Sequence, residues 1–231
     1  MKNVKKKINV KIILTISVIG IGLIFFVSKK LNTPDSVFIR FDIRQNKEAI
    51  YLSTFAEPPQ FAVWIENEQT KEKQTVFVTH RSGIGDWEGK PAVPVAIPRW
   101  SELFVTKEEL KDHKEIAAVS GATPKEESFS VSVAVPEGSV WSCWIEMNLA
   151  GDFNESFTEF NAETLVEDEF FCGQPALLYK AIVTAKNDFN TKAELVGQSV
   201  WEDGINRVEA VSARVTTAKR VFEDIKISVS K

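Results

Sequence analysis

The sequence predicts a mainly β fold: an immunoglobulin-like β-sandwich with one short helical insertion, preceded by a single N-terminal transmembrane helix. Three observations carry this expectation. They are an uncharged apolar run near the N-terminus, repeated period-two alternation of apolar and polar residues, and turn residues between the alternating segments.

The apolar run covers residues 12–28, seventeen positions without a charge, with Lys11 before it and Lys29 and Lys30 after it. That is the short end of a bilayer span, roughly 17 to 25 residues, and the flanking lysines can snorkel to the headgroups. A cleaved signal peptide ends in small residues, whereas Phe25, Phe26, Val27 and Ser28 lead directly into lysines, so the run is expected to stay on the mature chain. Lys2, Lys5, Lys6, Lys7 and Lys11 precede it, which places the N-terminus in the cytoplasm. The expected organisation is a cytoplasmic tail at 1–11, a transmembrane anchor at 12–28 and an extracytoplasmic β-sandwich domain at 35–231. The chain is thus expected in the cell membrane, single-pass, with its domain in the periplasm or at the cell surface.

Residues 1–30 hold seven of the 28 basic residues and none of the 32 acidic ones, leaving 21 against 32 for the remainder, a net charge of −11. Such a surface repels phosphate backbones and anionic headgroups, so no nucleic-acid partner is expected.

The clearest strands have Val37, Ile39, Phe41 and Ile43 alternating with Phe38, Arg40, Asp42 and Arg44, and Phe129, Val131, Val133 and Val135 alternating with small residues. Residues 61–66 and 74–79 bracket a polar hairpin loop. Further strands are predicted at 139–149, 176–185, 195–201, 208–215 and 225–229. The single helix signalled is 109–114, where Thr106 and Glu109 form a capping box. The Gly- and Pro-rich loop 83–98 before it is expected to be anchored by Trp87 and Trp100.

Cys143 and Cys172 both fall in the segment assigned to the oxidising side, each among aromatic residues, and are expected to pair. A disulfide there closes a loop of about 30 residues, worth roughly 3 to 4 kcal/mol in the chain-entropy picture.

Chemistry-bearing motifs are sparse. His80 and His113 stand without a second ligand at metal-binding spacing, and His113 lies among Lys111, Asp112 and Lys114. No nucleophile elbow, phosphate-binding loop or dinucleotide glycine pattern is present, so hydrolase, kinase and dehydrogenase activities lose support, and no catalytic or metal-ligating residue is assigned. Glu163, Glu167, Asp168 and Glu169 lack the spacing that wraps a short loop around calcium and read as a solvated stretch. Phe153, Phe157 and Phe160 recur at helical spacing and read as an amphipathic turn packed on the sandwich.

One segment, Ser120-Gly121-Ala122-Thr123, resembles the acceptor motif of covalently flavinylated FMN-binding domains. The resemblance implies FMN esterified to Thr123, with Gly121 turning the backbone beside Ser120 and Ala122 leaving room for a transferase. Ala117 and Pro124 stand where those motifs carry an aspartate and a hydroxyl residue. The same residues also make an exposed tight turn without a cofactor, with Gly121 at positive φ and Pro124 extending Thr123 toward the following strand. No cofactor is therefore the expectation, with FMN on Thr123 as the alternative.

A wider likeness rests on Phe61-Ala62-Val63-Trp64-Ile65-Glu66-Asn67, Val76-Phe77-Val78-Thr79, Pro98-Arg99-Trp100, the segment Val119 to Pro124, and Gly173-Gln174-Pro175-Ala176-Leu177-Leu178-Tyr179-Lys180. In this order they resemble the predicted periplasmic proteins grouped as domain of unknown function 2271, over roughly residues 37–185. The resemblance implies an extracytoplasmic β domain associated with flavin-transfer and membrane redox proteins, and no catalytic residue. The function expected is a non-enzymatic, membrane-anchored accessory or binding module with an envelope protein partner. The alternatives are an electron carrier bearing FMN on Thr123 and a structural or adhesive surface domain.

Overall fold

The computed structural model describes residues 35–84, 86–87, 90–91, 96–105, 120–167, 170–202 and 204–231. The expected tail and anchor at 1–28, the helix at 109–114, His113 and Ala117 lie outside the described residues. Two β-sheets account for most of what is described. One has four strands, with β1 (Ser36–Gln45) between β7 (Ser128–Pro136) and β15 (Phe222–Ser230), and β12 (Asn190–Lys192) outside β15. The other has seven, in the order β14 (Ile205–Glu209), β13 (Glu194–Glu202), β11 (Ala176–Thr184), β8 (Val140–Asn148), β2 (Gln60–Asn67), β3 (Lys73–Thr79) and β6 (Ser120–Gly121). Their neighbours run antiparallel except β3 and β6, which pair in parallel, Val78 with Ser120 and Thr79 with Gly121. Short hairpins β4 (Asp86–Trp87) with β5 (Lys90–Pro91) and β9 (Phe160–Asn161) with β10 (Val166–Glu167) lie outside these sheets. Four helices are described: α1 (Lys47–Tyr51), α2 (His80–Ile84), α3 (Pro98–Phe104) and α4 (Ala218–Val221).

Alternation in β1 is realised strictly: Val37, Ile39, Phe41 and Ile43 are buried, while Phe38, Arg40 and Arg44 are exposed. They meet Phe61, Val63 and Ile65 of β2, Ile145 and Met147 of β8 and Leu177 and Tyr179 of β11 in one inter-sheet core. The predicted β2–β3 hairpin is present, and Asn67 fixes its loop by accepting hydrogen bonds from the Gln69 and Thr70 amides at 2.9 Å.

The large sheet also buries its other face. Ala62, Trp64, Val78 and Leu178 form a second cluster with Ile97 and Trp100, which bring α3 down onto the strands. This explains why β2 reads Phe61-Ala62-Val63-Trp64-Ile65, an unbroken apolar run: both faces are covered. Trp100 is 1% exposed and its Nε1 donates to Thr75 Oγ1 at 3.0 Å, the anchoring expected of it. The side chain of Trp87 lies outside the described residues.

Several expectations need correction. No disulfide joins Cys143 and Cys172. Cys143 sits mid-strand in β8, opposite Ile65 and Ala181, with its side chain in the inter-sheet core. Cys172 lies past the end of that strand, its carbonyl accepting from Asn148 Nδ2 at 3.4 Å. Five residues of extended chain separate the two levels, about 17 Å, far beyond disulfide reach.

The strand predicted at 208–215 is instead β14, displaced toward the N-terminus, because Trp201 pairs with Asn206 and Glu202 with Ile205 across a two-residue turn containing Gly204 at φ +78°. The Phe-rich stretch forms no helical turn. Phe157 packs on the core, Phe160 is 52% exposed in β9, and Asn154 caps the turn leading into Phe157 by accepting from the Ser156 and Phe157 amides.

Candidate functional site

Across the outer face of the large sheet, one row of facing residues reads Trp64 in β2, Trp144 in β8 and Lys180 in β11. The two indoles stack with centroids 5.9 Å apart and planes 5° from parallel, and Lys180 Nζ lies 4.6 Å from the centre of the Trp144 ring. Trp64 is buried and Trp144 half-buried, so the row runs from covered to open sheet. Trp64 Nε1 is buried with no hydrogen-bond partner among the described residues.

Beside this row is a groove of about 260 Å³. Its apolar lining is Trp64, Trp144, Leu178, Leu103 and Val208, and its polar lining is Glu66, Arg99, Glu102 and Asn206. Val208 is half exposed and reaches across Gly197, where an added Cβ would lie 3.6 Å from Val208 Cγ1 and 2.9 Å from the Glu209 carbonyl. The carboxylate of Glu102 accepts from Arg99 Nη1 at 2.6 Å and from Asn206 Nδ2 at 2.9 Å, bonds that hold it below its ordinary pKa. The carboxylate of Glu66, a half-buried residue, makes no hydrogen bond or ion pair among the described residues. The groove therefore combines an aromatic and aliphatic surface, one neutralised carboxylate and one carboxylate open to a ligand.

What holds α3 over the sheet is Glu146, fully buried on β8. Its Oε1 accepts from the Arg99 amide at 3.0 Å and Oε2 from the Trp100 amide at 2.7 Å, satisfying two donors of the first helical turn. Burial pushes the Glu146 pKa up to about 7, and the two amide bonds with a contribution from Ser199 only partly oppose it. Ser199 Oγ donates to Asn206 Oδ1 at 2.7 Å and also contacts the Glu146 carboxyl. Asn206 in turn donates to Glu102, so a hydrogen-bonded chain connects the buried acid to the groove.

The residues singled out by sequence lie elsewhere. Ser120 and Gly121 form the edge strand β6 rather than a turn, and Gly121 is not at positive φ. Glycine is needed there because a Cβ would come within 2.7 Å of Phe77 Cε2. Thr123 is half-buried, and its Oγ1 accepts from Gln60 Nε2 at 3.4 Å. Gln60 Oε1 accepts in turn from Thr79 Oγ1 at 2.8 Å and Ser82 Oγ at 3.2 Å. Gln60 is four residues from Trp64, roughly 13 Å along β2, so Thr123 does not line the groove. Cys143 is a core residue whose thiol is pushed far up by burial. His80 begins α2, exposed. Among the described residues, no group of three or more His, Cys, Asp or Glu side chains is arranged to hold a metal.

The groove was not assigned from sequence, although its signal was present. Trp141-Ser142-Cys143-Trp144-Ile145-Glu146-Met147 places a tryptophan and a carboxylate on the face opposite the core, two residues apart, as Trp64 and Glu66 are in β2. No protein-family model, curated protein or solved structure matches the chain.

Proposed function

We propose that this chain is a membrane-anchored extracytoplasmic binding module, non-enzymatic, whose recognition site is the groove of Trp64, Trp144, Glu66 and Glu102. The observation that carries the reading is the Glu66 carboxylate, without a partner among the described residues, beside a stacked indole pair, with Arg99 already neutralising Glu102. That combination favours an amphipathic ligand with a cationic or strongly donating head, such as a lysine or arginine side chain of a partner protein, its aliphatic part against Leu178 and Val208. The apolar run at 12–28 supports the anchor, and two facing sheets, antiparallel apart from the β3–β6 pair, support the immunoglobulin-like assignment. The resemblance to domain of unknown function 2271 extends the proposal to a partner among envelope redox or flavin-transfer proteins.

Calorimetric titration of the full chain in detergent with short Leu-Lys and Leu-Arg peptides tests this. Binding weakened roughly tenfold by Glu66→Gln and abolished by Trp144→Ala is expected. Equal affinity in wild type and Glu66→Gln would overturn it.

A second reading, FMN esterified to Thr123, draws on the position of that half-exposed residue beside exposed Ala122 at the sheet edge. Its hydroxyl already accepts from Gln60, which a phosphoester would have to rearrange. Co-expression with a flavin transferase, followed by in-gel fluorescence lost in Thr123→Val, distinguishes this reading from the first.

A further inference from the structure

We infer that the end of the sandwich carrying Tyr51, Leu52, Phe55, Phe160 and Leu165 docks a protein whose contacting face is both basic and apolar. These five are half of the ten large exposed hydrophobic residues among the described residues, at 46 to 74% exposure, and they concentrate at one pole. Tyr51 ends α1 and Leu52 and Phe55 follow it, while Phe160 and Leu165 belong to the β9–β10 hairpin in the connection from β8 to β11. The two segments are bound together: the Thr54 amide donates to the Gly151 carbonyl at 2.9 Å and the Gly151 amide to the Phe171 carbonyl at 2.6 Å. The rings of Phe55 and Phe171 pack edge to face, with centroids 5.9 Å apart.

Charge selects the occupant. Residues 149–175 contain seven acidic residues and no lysine or arginine, and residues 51–60 contain Glu57 and no basic residue. Glu155, Glu159, Glu163 and Glu167 are all exposed around the hairpin, and none makes an ion pair within the described residues. Basic side chains at this end sit on other segments: Lys47 donates to the Lys125 carbonyl, Lys219 Nζ donates to the Ser212 carbonyl at 3.1 Å, and Arg214 and Arg220 are exposed, fewer than the seven acidic residues of 149–175. An acidic rim around exposed Phe, Tyr and Leu repels a second copy of this pole and an anionic lipid surface, and complements a basic protein face with apolar side chains at its centre.

The chain enters the domain at Ser36, at the far end of β1, nine residue steps or roughly 30 Å from Gln45 where this pole begins. A partner therefore approaches from the side opposite the N-terminal connection. This surface shares no residue with the groove described above, so either assignment can fail without the other.

The test is a photocrosslinking side chain at position 165 of the full chain, expressed in its native envelope, with position 71 in the β2–β3 loop as control. The expected result is an adduct at 165 but not 71 with one protein whose crosslinked segment is rich in Lys and Arg. Its yield should fall roughly tenfold in a Glu163→Lys, Glu167→Lys double variant and in high salt. An adduct with lipid, with a second copy of this chain, or with a partner whose yield is insensitive to the charge reversal would overturn the inference. So would no adduct at all. Both glutamates are exposed, so the double variant tests binding rather than folding.

Discussion

Titrating Glu146 should make the domain less stable as pH rises toward and past neutrality. An unfolded glutamate titrates near 4.5, whereas the buried carboxyl titrates at about 7. A proton is thus held more tightly by the folded chain, and the stability it contributes is complete below pH 4.5 and lost as pH rises through 7. Integrating between pH 5 and pH 8 gives a loss of about 2.5 kcal/mol from this residue alone. Asp152, pushed up to about 6 by burial, acts in the same direction but over a lower window, from 3.8 to about 6. Comparison with Glu146→Gln removes that background. The glutamine carbonyl can accept from only one of the Arg99 and Trp100 amides well, which offsets the variant by a constant and adds no titration. Urea unfolding of both proteins at half-unit steps from pH 5 to 8 should give a wild-type minus variant difference that declines by about 2.5 kcal/mol. A difference that is flat would refute the buried-acid argument. One that increases with pH would mean that the two amides outweigh desolvation and hold Glu146 ionised.

Gly121→Val should destabilise the domain by about 1 to 3 kcal/mol, measured by denaturant unfolding, because its side chain must displace Phe77 from its packing against Phe61 and Phe129. Denatured, unreduced protein should titrate two thiols with a chromogenic disulfide reagent, and in the native state Cys143 should react only on unfolding. Alkaline carbonate washing should leave the full chain in the membrane pellet and release a chain lacking residues 1–34 into the supernatant, with the intact mass of the extracted protein still including residues 12–28.

The strands were legible where one face meets the core and the other meets water. Residues 37–44 and 129–135 show this, because a period of two leaves a visible alternation only when the faces differ. Phe61 to Ile65 and Trp141 to Met147 read as strands without revealing that their second face was covered, and the covering helix α3 carries no capping signal: Ile97 offers no side-chain bond at its N-cap position. Its cap is Glu146, 46 and 47 residues away in sequence, a contact no local pattern encodes. The groove was missed for the same reason, since it exists only where Trp64, Trp144 and Val208 come together from three strands. The disulfide expectation failed because compartment and composition say nothing of the level at which two cysteines sit along a strand.

The pairing of β1 with β15 has a consequence for how the molecule is made. Phe38 faces Ser230, so the first strand of the domain is completed by the last, across nearly the whole chain. Loop closure over that span is slow compared with local hairpins such as β2–β3, and β15 follows every other described strand in sequence. Without β15, β1 has only β7 on one side, and its other edge lies open from Val37 to Ile43. A chain cut within β15 (Phe222–Ser230) would keep that edge unpaired, a ready template for strand pairing with another chain.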